Sequence, residues 1–269
     1  MAGQVFVLFC IQAAVGVLAL LPFVDIDVVG RSFYKINGRV GLALLLLGYG
    51  VELPMRGLSG FTGVELVGLG AGVSAALGAA IWLRTLDSRA FKERLWMLKG
   101  VIALAVVGLL ARLVTVTLTG EGAWRLMTPP AILAGAILNG SVTLAMILGH
   151  YYLNHPKLSI DPLRTYSLAF LGSAGARTLL FLIGFGLLWQ NPPAAVDPDR
   201  GFFLENTLVL IQRGLFGVVG PMVLAVMTWE TVKIQSTQSA TGILYAAMVM
   251  VAVGELTAGW FLLGSGIAF

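Results

Sequence analysis

Arg213 sits near the middle of Phe203–Val232, a stretch apolar and long enough to cross a bilayer. An arginine in hydrocarbon costs roughly 2.5–3.5 kcal/mol on insertion scales, so it requires a counter-charge, a cavity or a ligand. Arg112, Arg177 and Glu255 also lie inside apolar runs. With a rise of about 1.5 Å per helical residue, Arg213 and Glu255 both fall about 14 Å in from the same side of the bilayer. Gln12 and Asn139 reach a similar depth on two further spans, Arg177 is a little deeper and Arg112 is shallower. Gly217, Gly220 and Pro221 follow Arg213 closely. Proline at 221 removes a backbone hydrogen bond and crowds the preceding turn, which predicts a kink there.

Two chemistries suit this layer. In the structural one, Arg213 pairs with Glu255, Arg112 snorkels to the surface, and Arg177 bonds backbone carbonyls, including those freed near Pro221. In the functional one, three arginines against one glutamate leave about two positive charges unpaired, which a dry interior does not tolerate. Water then enters, or an anionic or hydrogen-bonding ligand sits there. A small carboxylate or phosphate, a lipid headgroup, or a quinone accepting from arginine would serve. Glu255 would be a proton carrier whose ionisation depends on its distance from Arg213.

The two histidines, His150 and His155, lie five residues apart on one segment. They cannot grip opposite faces of one haem, and Asp161 is the only acid near enough to join them on a metal. No metal or cofactor is expected on this chain alone. His150 reads as a packing or hydrogen-bonding group, or as a proton-uptake group on the inner side. The single cysteine, Cys10, excludes an internal disulfide and thiolate clusters and reads as a buried thiol. Walker loop, nucleophile elbow, zincin and dinucleotide motifs are absent, so no catalytic residue is assigned.

The chain that positions these residues has 269 residues, 58% hydrophobic and 11% charged, with mean hydropathy +0.92. Soluble domains carry about 25% charged residues, so this composition is that of a polytopic membrane protein. Continuous apolar runs without two-residue alternation predict helices, not a barrel. Eight spans are expected, at about 4–24, 39–54, 62–84, 95–118, 130–153, 165–189, 204–229 and 239–263. The second is the shortest. The first starts without a basic segment ahead of it, so no cleaved leader is expected. The fold class is therefore an all-α transmembrane bundle forming one domain, residues 1–269.

Orientation follows from eleven basic residues in the loops after spans one, three, five and seven, among them Arg31, Lys35, Arg89, Lys92, Arg94 and Lys157. The opposite loops hold three, Arg56, Arg125 and Arg200. Positive-inside then puts both termini on the non-cytoplasmic side. Glu52 and Glu65 are among six acids that fall on that side, but acids contribute little to the rule. Asp25–Arg39 reads as a short amphipathic segment on the membrane surface. Thr128 reads as the N-cap of span five, with Pro129 and Pro130 in its first turn. Asn191-Pro192-Pro193 stops span six, Asp197–Gly201 is a turn, and Ser236, Thr237 or Ser239 caps span eight. Trp124, Trp189 and Trp260 at one interface, and Trp82, Trp96, Tyr151, Tyr152 and Trp229 at the other, read as aromatic belts. Leu144-Ala145-Met146 and Leu224-Ala225-Val226 align weakly, as four helical hairpins in series would.

The residues fit three functions. One is a carrier or channel-like protein with an outer-half Arg/Glu cavity for a small anionic or amphipathic ligand. Another is a quinone-interacting membrane subunit of a redox complex, whose metals a partner chain would carry. The third is a structural or assembly subunit. Membrane lipid and other membrane subunits are the expected partners, nucleic acid is not, and a prokaryotic cytoplasmic membrane is the expected location.

Overall fold

The computed structural model describes residues 1–57, 60–88, 95–155, 158–193, 196 and 201–269, apart from the side chain of Thr119. Arg89, Lys92, Arg94, Lys157 and the Asp197–Arg200 part of the expected turn lie outside the described residues. All regular structure among the described residues is helical, and eight helices are long and apolar enough to cross a membrane. The protein is an integral membrane protein of the polytopic helical kind.

Span one is α1 (Ala2–Leu20), continued by a 3₁₀ turn to Phe23. Spans two to six are α2 (Ile26–Arg56), α3 (Gly63–Thr85), α4 (Leu95–Thr119), α5 (Gly122–Asn154) and α6 (Asp161–Gln190). A short α7 (Gly201–Glu205) precedes span seven, which is α8 (Thr207–Gly214), a π turn over Leu215–Val219 and α9 (Gly220–Lys233). Span eight is α10 (Thr237–Ser265).

The spans form two rings of four. In the first, α1 to α4 pack in chain order and α4 returns to α1. In the second, α5, α6, span seven and α10 do the same. Neighbouring spans in sequence make hairpins, and α1 against α5 joins the rings. α1 and α5 form the centre, and 78% of the span of each is buried. Glycine sets how closely they approach. A Cβ on Gly16 would lie 1.9 Å from the Ala136 carbonyl oxygen, and one on Gly140 would lie 2.2 Å from the Gly16 carbonyl carbon. Small residues allow such backbone contact, which is where membrane helices gain packing energy.

Several expectations change. Asp25–Arg39 is amphipathic, as expected, but is helical and runs on into α2, with Asp25 accepting from the Asp27 N–H and a break at Gly30, where φ is +81°. Its aromatic residues face inward: Phe33 is fully buried against Tyr166, and the Tyr34 hydroxyl donates to Val24 O at 2.7 Å. Burying both rings holds one face of the segment against the bundle. Span five begins at Gly122, not at the prolines. Thr128 is thus inside the helix, and its hydroxyl donates back to Trp124 O at 2.9 Å instead of capping. Ser236 holds the cap position of α10, but its hydroxyl donates to Ser239 Oγ and accepts from no helix N–H. Trp82, Trp124 and Tyr152 leave the aromatic belts for the interior. The Trp124 indole donates to Asn191 O at 2.9 Å, fixing the end of α6 against α5. Trp189 and Trp96 lie on the surface of the bundle, 78% and 67% exposed.

At the end opposite the termini, Lys35 pairs with Asp87 and Arg31 donates to Ser88 O, tying α2 to the loop after α3. The hydrogen bond and charge of Lys35, with Arg39 and Arg31 nearby, hold the Asp87 carboxyl below its ordinary range.

Candidate functional site

Four of the six polar residues singled out in the sequence meet at one point between α1, α5, α6, span seven and α10. The side chains of Arg177, Arg213 and Glu255 are almost fully buried. Arg177 grips Glu255 with both ends of its fork, Nε to Oε1 and Nη2 to Oε2, each at 2.8 Å. Bidentate pairing of this kind is the strongest geometry available to the two groups. Arg213 is further off, with Nη1 3.9 Å from Glu255 Oε1. It donates to the main-chain oxygens of Gly254 at 3.4 Å and Phe269 at 3.3 Å, while its Nε has no partner. Arg177 Nη1 also donates to Phe269 O.

Local sequence explains how the charges fit. Leu215–Val219 widens into a π turn just ahead of Pro221, and the Gly220 N–H bonds to Leu215 O, five residues back. Proline would otherwise press its ring on the carbonyl four residues earlier, and the wider turn relieves this. Gly217 leaves the space taken by Arg213: a Cβ there would sit 1.9 Å from Nη1. Gly254 lets α10 touch the π turn, since a Cβ there would lie 2.2 Å from Gly217 Cα. Gly135 on α5 does the same for the acid, with a built Cβ only 2.3 Å from Glu255 Oε2. Gly220 meets Met250 rather than the cluster.

Gln12 completes the group. Its amide donates to Ile132 O at 3.0 Å, and it lines, with Arg177 and Glu255, a cavity of about 10 Å³. That volume holds one water. Asn139 lies one turn along α5 and spends its amide on Gly135 O at 3.0 Å. The chain folds back to close the cluster: Gly266 takes the left-handed conformation, φ +72°, and Ile267, Ala268 and Phe269 are at most 1% exposed.

Arg112 is not in this group and does not snorkel. It pairs with Glu52, a buried residue of α2. Arg56 donates to Glu65 at 2.6 and 3.0 Å and lies 3.6 Å from Glu52. Two arginines and two glutamates thus balance in the first ring. Arg112 no longer counts towards the surplus charge, and the second ring keeps two guanidiniums on one side-chain carboxylate, with main-chain oxygens as the other acceptors. Sequence signals for this second network existed. Glu52 and Arg56 have the four-residue spacing of a helical ion pair. Thr62-Gly63-Val64-Glu65 has the spacing of a capping box, and its reciprocal hydrogen bonds are present.

Tyr49 reaches between α3 and α4 into a notch left by Gly72 and Gly108. Its hydroxyl is buried without a partner beside a space of about 10 Å³ lined by Glu52 and Arg112. Tyr49→Phe is therefore expected to leave thermal stability unchanged within about 0.5 kcal/mol or to raise it, because an unpaired buried hydroxyl only costs. A loss above about 1 kcal/mol would instead indicate a bridging water in that space.

His150 lies apart from both networks, exposed at the opposite end, with its Nδ1 3.2 Å from the Tyr245 hydroxyl. His155 stacks on Tyr151. Among the described residues no group of three His, Cys, Asp or Glu side chains could hold a metal.

A much roomier space lies elsewhere and was not foreseen from the sequence. A groove of about 550 Å³ opens between α1, α8 and α10 near the termini. Val5, Val209, Val253 and Leu256 give it apolar walls, and Asn206, Gln212, Thr257 and Trp260 bring polar groups to it. Gln212 and Thr257 flank the ion cluster in sequence but point out of it; the Gln212 amide donates to Thr257 Oγ1 at 3.0 Å. No protein-family model, curated protein or solved structure matches this chain.

Proposed function

We propose that this protein is a carrier-type integral membrane protein that takes a small amphipathic ligand from the lipid phase into the groove between α1, α8 and α10. The observation that carries this reading is the groove itself. Its volume of about 550 Å³ lies within the range of small-molecule sites, about 300–1,000 Å³, and a few polar groups converge in apolar walls. The Arg177–Glu255–Arg213 cluster has room beside it for one water, so it serves as the rigid wall that holds α10 against the π turn. The widened turn beside the groove is where span seven can alter its path, as broken helices do in transporters. By the distribution of basic residues, the groove opens on the non-cytoplasmic side of a prokaryotic cytoplasmic membrane. A quinone-interacting subunit of a redox complex would use the same groove and would require a partner chain bearing the metals.

The test is extraction of small molecules from protein purified in mild detergent, with mass spectrometry of the extract. Val253→Trp fills the groove without touching the ion cluster. An amphiphile present with wild type and lost with Val253→Trp, at unchanged unfolding temperature, is the expected outcome. Equal recovery from both proteins would overturn the assignment of the groove.

A further inference from the structure

We infer that the ligand of this groove carries an uncharged, carbonyl-bearing head read by Gln212, as a quinone does, and that ionic amphiphiles are rejected. The inference rests on the groove being a ligand site. Gln212 is an exposed amide about 8 Å into the helix that begins at Thr207, a depth set by the helical rise. Around it, Leu208, Ile211 and Leu215 are 81%, 52% and 54% exposed, so this face is otherwise apolar. An amide in such surroundings needs hydrogen-bond partners, because lipid chains offer none.

Gln212 meets that need only in part. One N–H reaches Thr257 Oγ1, whose own proton is committed to Val253 O at 2.8 Å. One N–H and the Oε1 of Gln212 stay available, and an amide offers two donors and two acceptor lone pairs. Trp260, 40% exposed, adds an indole donor at the same groove. Asn206 spends one N–H on Phe202 O and keeps the rest of its amide. A carbonyl oxygen accepts from the free Gln212 N–H, and a hydroxyl in its place donates to Oε1, so one side chain serves both the oxidised and the reduced form of a quinone-type ring. The described residues lining the groove include no charged side chain. A carboxylate, phosphate or ammonium head would therefore be desolvated there without an opposite charge, which is costly.

Binding is measured with the full chain in phosphatidylcholine nanodiscs by ligand-dependent thermal unfolding. The probes share a decyl tail and differ in head: a benzoquinone, a carboxylate and a trimethylammonium. The expected result is stabilisation by the benzoquinone alone, about tenfold weaker binding in Gln212→Leu, as loss of one hydrogen bond gives, and none in Val253→Trp. Val209→Phe is the second groove-filling variant, used if Val253→Trp does not fold. Binding of the charged probes as tightly as the benzoquinone, abolished by the groove-filling variants, would overturn the uncharged-head inference and leave the groove standing. No stabilisation by any probe, or stabilisation indifferent to the groove-filling variants, would overturn the groove itself.

Discussion

Glu255→Gln is expected to lower stability by about 3–5 kcal/mol, as removal of one member of a buried ion pair does. In a chain of this size that corresponds to a fall in unfolding temperature of order 10 °C. The substitution keeps the shape of the side chain and deletes its charge. Arg177 then loses both charge-assisted bonds of its fork, at 2.8 Å each, and Arg213 loses its nearest side-chain carboxylate at 3.9 Å. Two buried guanidiniums are left with main-chain oxygens and no counter-charge from a side chain. Arg213→Met should cost less, because it removes a charge that is loosely paired and whose Nε has no partner. Arg177→Met combined with Glu255→Gln should recover part of the loss, since coupled neighbours show interaction energies of about 0.5–3 kcal/mol. Thermal unfolding of the four proteins in one detergent checks the order. If Glu255→Gln proved no worse than Arg213→Met, the carboxylate would not be the counter-charge of this cluster.

Gly16→Val should be comparably severe for a different reason. The contact that the new side chain meets is backbone: Ala136 O at 1.9 Å from the first added carbon, with Gly140 N at 2.9 Å. No rotamer change relieves an overlap with a carbonyl oxygen, so α1 and α5 must separate along the seam that joins the two rings. Overpacking typically costs about 1–3 kcal/mol, and at a backbone seam the upper end or more is expected. Gly172→Ala provides the control. Gly172 is a helical glycine with no neighbour within 4 Å of a built Cβ, so alanine should be neutral or stabilise by up to about 1 kcal/mol. Unfolding temperatures and monodisperse yield in detergent separate the two outcomes. Equal behaviour of the two variants would mean that α1 and α5 are not in backbone contact.

Hydropathy and turn chemistry alone located eight spans because a helix must present about twenty apolar residues to cross lipid, and that demand is local. They also located the chemically unusual residues: a buried charge stands out in any apolar run, as Arg213, Arg177, Arg112 and Glu255 do. Partner choice was not legible, because it depends on which helix faces which. Arg177, not Arg213, takes the fork of Glu255, and Arg112 belongs to Glu52 in the first ring rather than to the cluster whose charge it was counted with. Apolar length also says nothing of where a helix starts within protein. Phe33 and Tyr34 drew Asp25–Arg39 into the bundle, and α5 runs on past its two prolines. The groove beside Gln212 was invisible for the same reason, since it is made of residues from α1, α8 and α10 that no linear pattern connects. The sequence by itself determined a polytopic helical membrane protein with a layer of buried charge. The tertiary structure alone decided how that charge is neutralised and where space for a ligand remains, because both are set by contacts between helices distant in the chain.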